Sequence, residues 1–430
     1  MNVFFNRQAL HLRPDPARVV VRPFKPATEP RDLNPTDKTR ANHIVDRVLT
    51  LDPPAVESQL ADVLENFLGR HRNLLATFEA RADEMEEAFT SHCAFSPEQR
   101  RLVGAYFMHE YSFEAAALFN PSIVAHPDQS GVPAGARRFV LSLRAVGEGH
   151  VSSLTFRSGL IAADGNVTVD PPTRLASIPK VRGLSPPVEP QSAELLFKPD
   201  EDISERVIFP VLPSQSNGVE DARFVEFEEN GTRTYYATYT AYTGRAIRSE
   251  LLETADFVTF RMSPLTGTAT SNKGMALFPR RIGGQYAMIA RQDNENLSLL
   301  YSDDLYRWNG GQTILKPQFP WEFVQIGNCG SPIELDEGWL LLTHGVGPVR
   351  RYSIGAVLLD KADPGKVLAR SREPLVRPEP SDREGYVPNV VYTCGGMRHG
   401  DRIILPYAVS DTFCSIATMK IVALLDSLRS

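Results

Sequence analysis

Four cysteines in 430 residues, with no Cys-x-x-Cys pair among them, leave nothing from which to assemble a zinc site or a redox dithiol. Cys93, Cys329, Cys394 and Cys414 are far apart and read as reduced, buried thiols. No window approaches the run of about 18 apolar residues that a membrane span requires. The opening Met1-Asn-Val-Phe-Phe-Asn-Arg7 has no charged-then-apolar signal pattern, so a cytoplasmic location is expected. A basic excess is missing too: 46 Lys and Arg stand against 52 Asp and Glu, a net charge of −6. Nucleic acids and anionic membranes are bound through clustered cations, so neither is expected as a partner, and any anion site must be local.

What is present is ordinary core-forming material, 42% hydrophobic and 23% charged, which excludes disorder of the whole chain. The length exceeds the usual domain of roughly 150 residues, although closed all-β folds run past 200 as one unit. Residues 1–40 contain Pro14, Pro16, Pro23, Pro26, Pro30 and Pro35 and read as an extended arm with at most one strand, Arg18-Val-Val-Val-Arg22. Val56, Leu60, Val63, Leu64, Phe67 and Leu68 then fall on one helical face behind an Asp52-Pro53 start signal. A second helix carries Leu74, Leu75 and Phe78. A third begins at Ser96-Pro-Glu-Gln99, where Ser96 can cap and Gln99 can reach back. Residues 1–114 are thus an arm and helical module suited to packing or to homo-oligomerisation, and a homo-oligomer is expected.

Beyond residue 118 the pattern changes to short strand candidates separated by Gly, Asn or Asp turns. They include Phe139–Ala145, Val151–Phe156, Arg223–Phe227, Tyr235–Thr240, Tyr286–Ala290, Leu297–Tyr301, Trp339–Thr343, Ser353–Leu359 and Arg402–Tyr407. No long helix interrupts them. Repetition over about 300 residues, at roughly 40 to 60 per unit, predicts an all-β fold: a five-bladed β-propeller over residues 115–430, with a pair of β-sandwiches as the other arrangement.

A propeller lets polar residues scattered in sequence converge on one central funnel. The stretch Gly218-Val-Glu-Asp-Ala-Arg223 leads that set, because it sets two acids and a base at a turn before the strand-like Thr234–Tyr242. Other candidates are Asn120, Arg144, Ser152, Lys273, Arg280, Arg291, His344, Arg350, Arg351, Tyr352, Glu384 and Asp411. Plainer roles fit several of them equally: Asn120-Pro121 as a turn, His344 as a satisfied strand-end histidine, Arg280-Arg281 as a solvated strand end, Glu384 as a loop brace.

In order along the chain stand Phe119-Asn-Pro, Leu143-Arg-Ala, Gly218-Val-Glu-Asp-Ala-Arg, Tyr239-Thr-Ala-Tyr242, Lys273-Gly-Met-Ala-Leu-Phe-Pro279, Tyr301-Ser-Asp-Asp-Leu-Tyr-Arg-Trp308, Thr343-His-Gly-Val346, Gly355-Ala-Val-Leu-Leu-Asp360, Arg383-Glu-Gly-Tyr-Val-Pro-Asn-Val-Val391 and Ser410-Asp-Thr412. This ordered set, over about residues 115–425, resembles glycoside hydrolase family 130, the β-mannoside phosphorylases and β-1,2-mannosidases. The resemblance implies a five-bladed propeller. It also implies inverting phosphorolysis of β-1,2- or β-1,4-mannosides to α-mannose 1-phosphate, with Asp221 as general acid and its proton relayed through the mannosyl 3-hydroxyl. Ala222 replaces the proline usual in that turn.

Phosphate is an anionic nucleophile and needs cations, whereas an inverting hydrolase needs a second carboxyl roughly 6.5–9.5 Å away to activate water. By the resemblance Lys273, Arg280, Arg291 and His344 would bind phosphate. Asn120, Arg144, Ser152, Glu220, Arg223, Tyr242, Glu384 and Asp411 would bind the sugar. No metal or organic cofactor is implied; inorganic phosphate is the co-substrate and a small carbohydrate the partner. A β-mannoside hydrolase of the same family and a non-catalytic sugar-binding propeller are the alternatives.

Overall fold

The computed structural model describes residues 5–27, 38–86, 95–183 and 191–429, so Cys93, Pro30 and Pro35 lie outside the described residues. The chain forms two units: Met1–Pro16 with Phe113–Thr173 and Ile178–Ser430, and Ala17–Ser112 with Arg174–Ser177. The first sixteen residues, expected as part of the arm, are therefore grouped with the strand-rich unit. Among the described residues no helix is long and apolar enough to cross a membrane.

The smaller unit is mainly helical. Its helices are Arg40–Leu49, Pro53–Phe67, Leu74–Glu86 and Pro97–Tyr106, and its strand Val19–Pro23 pairs antiparallel with Met108–Ser112. Asp52 caps the second helix by accepting from the Ala55 amide at 2.9 Å. Ser96 and Gln99 form a reciprocal capping box at 3.2 and 3.1 Å. Val45, Val48, Val56, Leu102, Val103 and Phe107 make the core of this unit. The apolar stripe anticipated on the second helix is only half used: Val56 and Leu60 are buried, whereas Phe67 and Leu68 are 37% and 53% exposed. The helix Arg40–Leu49 was not singled out from the sequence, although Ala41, Ile44, Val45, Val48 and Leu49 fall at i, i+3, i+4, i+7 and i+8 and pack in this core.

The larger unit is mostly β, with its principal helix, Ile421–Arg429, at the end of the chain. Its longest sheet joins Ala117–Ala125, Arg137–Val146 and Ser152–Ile161 to Gly218–Glu229, Thr232–Tyr242, Ile247–Thr254 and Thr259–Pro264. These two antiparallel runs meet at a single parallel pair, Gly218 with Ser152. Further sheets are built on Tyr286–Ala290 with Leu297–Ser302, on Trp339–Gly347 with Arg351–Leu359, and on Arg402–Val409 with Phe413–Lys420. None of these sheets closes on itself among the described residues. The last one gains an edge strand, Phe5–Leu12, which pairs antiparallel with Phe413–Lys420. That strand corrects the expectation of an arm with at most one strand; the prolines begin just after it, at Pro14.

The strands read as near-continuous apolar runs because both faces are covered. All nine residues of Trp339–Gly347 are buried, and so are all nine of Ala117–Ala125. Cys329, Cys394 and Cys414 are free and buried, packed as small apolar groups. The polar tags between strands are turn devices: Asp360 accepts from the amides of Ala362 and Asp363, and Asp304 from that of Tyr306.

Removing residues 1–16 should uncover the edge of Phe413–Lys420 and lower the thermal midpoint by several degrees, with increased aggregation on heating. A truncated chain that melts like the full one would show that this edge pairing contributes nothing.

Candidate active site

One cavity of about 270 Å³ gathers polar side chains from each of these strand groups. Its first wall is carboxylate-rich. Asn120 and Asp221 each occupy a β-bulge, where pairing slips between Phe119 and Ser122 and between Glu220 and Arg223. Both have left-handed backbone, with φ of 49° and 54°. Asp411, at the hairpin tip after Arg402–Val409, has φ 48°. An extra residue at a bulge turns its side chain off the regular alternation, which is how a strand otherwise committed to core packing can present an acid to a cavity. Ala222, at the position where the sequence resemblance implies proline, leaves Asp221 in this conformation.

Hydrogen bonds fix that acid. Asn120 Nδ2 donates to Asp221 Oδ1 at 2.6 Å. Arg144 spans the wall, with Nη1 3.2 Å from Asp221, Nη2 2.7 Å from Glu220 and Nε donating to Ser152 Oγ at 2.9 Å. Its guanidinium lies over the Phe119 ring, 4.9 Å from the centroid. Burial by itself would raise the Asp221 carboxyl, but Arg144, then Lys273 and Arg223, and the Asn120 hydrogen bond outweigh it and hold the group at about 2. Glu220 is raised, chiefly by burial against the opposing pull of Arg144. Asp411 is pushed up to about 7 by burial and by the Asp221 charge, which outweigh Arg144, Arg350 and Lys273. The wall therefore holds one firmly ionised acid and one ready to carry a proton near neutrality.

The second wall is cationic and aromatic. Lys273, Arg291, His344, Arg350, Tyr352, Asn328 and Tyr392 line it, and Arg223 reaches it by donating to the Tyr392 hydroxyl at 2.9 Å. Arg291 Nη1 lies 3.3 Å from His344 Nε2. The imidazole stacks on Tyr352 at 5.8 Å and meets Tyr392 edge-on at 5.0 Å. Burial first, then Arg291 and Arg223, keep His344 well below its ordinary value, so it is neutral. It enters this wall as a hydrogen-bonding group and not as the cation anticipated from the sequence. Arg223 Nε, Arg291 Nε and both side-chain polar atoms of Asn328 are buried without a protein partner. Buried donors are costly unless something accepts from them, and the three here, the two Nε atoms and Asn328 Nδ2, suit a small multi-oxygen anion, while Asn328 Oδ1 can only accept.

The candidates from the sequence divide. Asn120, Arg144, Glu220, Asp221, Arg223, Lys273, Arg291, His344 and Asp411 line the cavity together, and Ser152 orients Arg144 from behind. Arg280 lies outside it. Its guanidinium is engaged with Glu334 at 2.9 and 3.0 Å and sits over Trp339, so it is withdrawn from the proposed phosphate set. Tyr242 donates to the Gly244 carbonyl at 3.1 Å and braces a turn. Glu384 is exposed on a loop and Arg351 lines a different cavity. Asn328 and Tyr392 went unnoticed; Tyr392 follows the Arg383–Val391 motif by one residue, whereas Asn328 in Gly327-Asn-Cys-Gly330 carried no signal.

Comparison with known proteins agrees with this chemistry. Residues 200–430 match a family model described as beta-1,4-mannooligosaccharide phosphorylase. A 1,2-beta-oligomannan phosphorylase of Thermoanaerobacter sp. (strain X514) is 34% identical over 220 residues, 49% of this chain and 72% of the relative. A Beta-1,2-mannobiose phosphorylase of the same organism is 33% identical over 233 residues, 51% of this chain and 72% of that one. Among solved structures, the Beta-1,2-Mannobiose phosphorylase of Listeria innocua, in complex with beta-1,2-mannobiose, aligns with a TM-score of 0.53 at 21% identity, covering 73% of this chain and 92% of that one. The chain is accordingly an enzyme of the glycosidase and phosphorylase type. It belongs to glycoside hydrolase family 130.

Two measurements probe the site. Gly327 pairs with His344, and a Cβ there would stand 2.2 Å from the imidazole, so Gly327→Ala should displace His344 and cut turnover at least tenfold while the fold persists. An unimpaired variant would free His344 from any positional demand. Asp411, at about 7 in the fold against roughly 3.9 unfolded, favours folding most at acid pH, and that contribution is lost as pH rises through 7. Asp411→Asn should therefore gain stability relative to wild type between pH 5 and pH 8, by about 1–4 kcal/mol. Thermal melts across that range check it, and a difference flat in pH would contradict the raised acid. Asp221 works in the opposite sense: its contribution is present above about 4 and lost as pH falls toward 2.

Proposed function

We propose that this enzyme cleaves β-mannosides by inverting phosphorolysis, releasing α-mannose 1-phosphate, with Asp221 as general acid and inorganic phosphate as nucleophile. The observation that carries the reading is the division of one small cavity into a carboxylate wall and a cationic wall with unpartnered donors. Phosphate would sit on Lys273, Arg291, His344 and Asn328, and the mannosyl ring would lie against Asn120, Arg144 and Asp411.

The ionised state of Asp221 is consistent with this order of events. A phosphate dianion on the second wall would offset Lys273 and Arg223, two of the three cations that hold the carboxyl down, and so raise its proton affinity when the nucleophile is in place. A phosphate oxygen then attacks C1 as the C1–O bond to the leaving sugar breaks. The leaving oxygen takes the Asp221 proton. The P–OH proton that phosphate gives up on becoming an ester restores the acid through solvent.

We also read the larger unit as a five-bladed β-propeller. Divided at the Gly218–Ser152 contact, the longest sheet gives two antiparallel groups, and the remaining three sheets bring the total to five. Each group supplies cavity residues in turn: Asn120 and Arg144; Glu220, Asp221 and Arg223; Lys273 and Arg291; Asn328, His344 and Tyr352; Tyr392 and Asp411. A radial arrangement around one funnel accounts for that sharing.

Hydrolysis is the second reading, and Asp411 favours it as another carboxyl in the same cavity, where its ionised form would activate water. The relatives named above make β-1,2-mannobiose the first substrate to offer. With phosphate present, α-mannose 1-phosphate should appear and free mannose should not exceed the acceptor released. Asp221→Asn should lower turnover by about 10²–10⁴. His344→Ala should raise KM for phosphate more than KM for the mannoside. Equal release of mannose with and without phosphate would establish hydrolysis, and an active Asp221→Asn would remove Asp221 from the role.

A further inference from the structure

The segment Arg383-Glu-Gly-Tyr386 bears Glu384, which stays outside the cavity, yet the same segment is tightly fixed at its edge. Gly385 lies so close to the Ser410–Thr412 turn that a Cβ there would stand 2.4 Å from Thr412 Oγ1 and 2.6 Å from Ser410 Cβ. The Tyr386 amide donates to Thr412 Oγ1 at 2.8 Å, and the Val387 amide to the Ser410 carbonyl at 3.0 Å. This turn carries Asp411. The Tyr386 hydroxyl is hydrogen-bonded to His150 Nδ1 at 2.8 Å, across 236 residues of sequence. His150 is itself held at φ 59° in the turn that follows the Arg144 strand. The rings of Phe119 and His150 lie 6.5 and 5.9 Å from that of Tyr386, and Phe119 in turn underlies Arg144.

Tyr386 nevertheless remains 45% exposed. An aromatic ring that merely faces water gains nothing from being fixed at its backbone, its hydroxyl and one side. A fixed ring with one open side is a pre-organised contact, which loses little entropy when a ligand covers it. Two of its contacts adjoin the carboxylate wall: Phe119 precedes Asn120 and underlies Arg144, and Thr412 follows Asp411. In an in-line displacement the leaving group departs on the side away from the nucleophile, and phosphate is assigned to the opposite wall. From this we infer that Tyr386, positioned by His150 and backed by Phe119, is the platform on which the leaving sugar of the substrate stacks through the C–H face of its pyranose ring. The inference rests on the phosphorolytic reading above and adds to it the residue that selects the acceptor.

The test runs the reaction in the synthetic direction, from α-mannose 1-phosphate and mannose, and measures KM for each. Tyr386→Ala should raise the acceptor KM about tenfold while leaving that for α-mannose 1-phosphate within twofold. Tyr386→Phe, which keeps the ring, should retain most of the affinity, and His150→Ala should fall between the two. A purely structural role would move both KM values together, and that outcome, or an unchanged acceptor KM, overturns the proposal. A wild-type enzyme that makes no disaccharide from α-mannose 1-phosphate would instead count against phosphorolysis. Calorimetric binding of mannose and of β-1,2-mannobiose then decides the platform by itself: Tyr386→Ala should lose the affinity that the second sugar adds, and equal affinities for wild type and variant would reject it.

Discussion

Everything in the site leans on one guanidinium. Arg144 joins Glu220 to Asp221, accepts orientation from Ser152 and rests on Phe119, so that two adjacent carboxylates of the strand Gly218–Glu229 share a single counter-ion carried by another strand, Arg137–Val146. Asp411 responds to the same charge. Three acids crowded into a cavity cannot all ionise at once without compensation, and the compensation supplied here is deliberately uneven. Asp221 receives most of it, while Glu220 and Asp411 are left with raised proton affinity. Protonation in this enclosure belongs to the group of acids as a whole, and any bound anion will redistribute it.

The geometry is bought with backbone strain. Left-handed non-glycine residues cost on the order of 1–3 kcal/mol each and persist only where their surroundings dictate them. Asn120, Asp221 and Asp411 are all of this kind, and each is flanked by buried packing: Phe119 and Pro121, Val219 and Ala222, Val409 and Cys414. The apolar faces of the sheets therefore do more than stabilise the fold. They hold three polar residues in conformations that isolated chain would leave.

Much of this was legible in the sequence because strand alternation, turn residues and capping boxes act locally. The strand at Trp339–Gly347 and the cap at Ser96 depend on neighbours a few residues away. Asp221 and Arg144 were legible through motifs that keep order along the chain. Arg280 was misplaced because its partner, Glu334, lies 54 residues on, and nothing in Pro279-Arg-Arg281 distinguishes a paired surface arginine from a cavity one. The charge of His344 was equally hidden: its imidazole is neutral because of its burial first and of Arg291 and Arg223 beside it second, facts of three-dimensional packing. Tyr392 and Asn328 looked like ordinary members of short strands, and only the cavity gives them a direction.

The edge strand Phe5–Leu12 sets an order on assembly. Phe5 pairs with Met419 and Leu12 with Cys414, so this segment must stay unpaired until a strand far along the sequence has been made. Pairing over so long a loop is slow to find, and the hairpin that presents Asp411 is the very one it borders. A nascent chain can therefore build the Arg144–Asp221 side of its cavity well before the sheet beneath Asp411 is whole, and that sheet is complete only once Phe5–Leu12 has joined it.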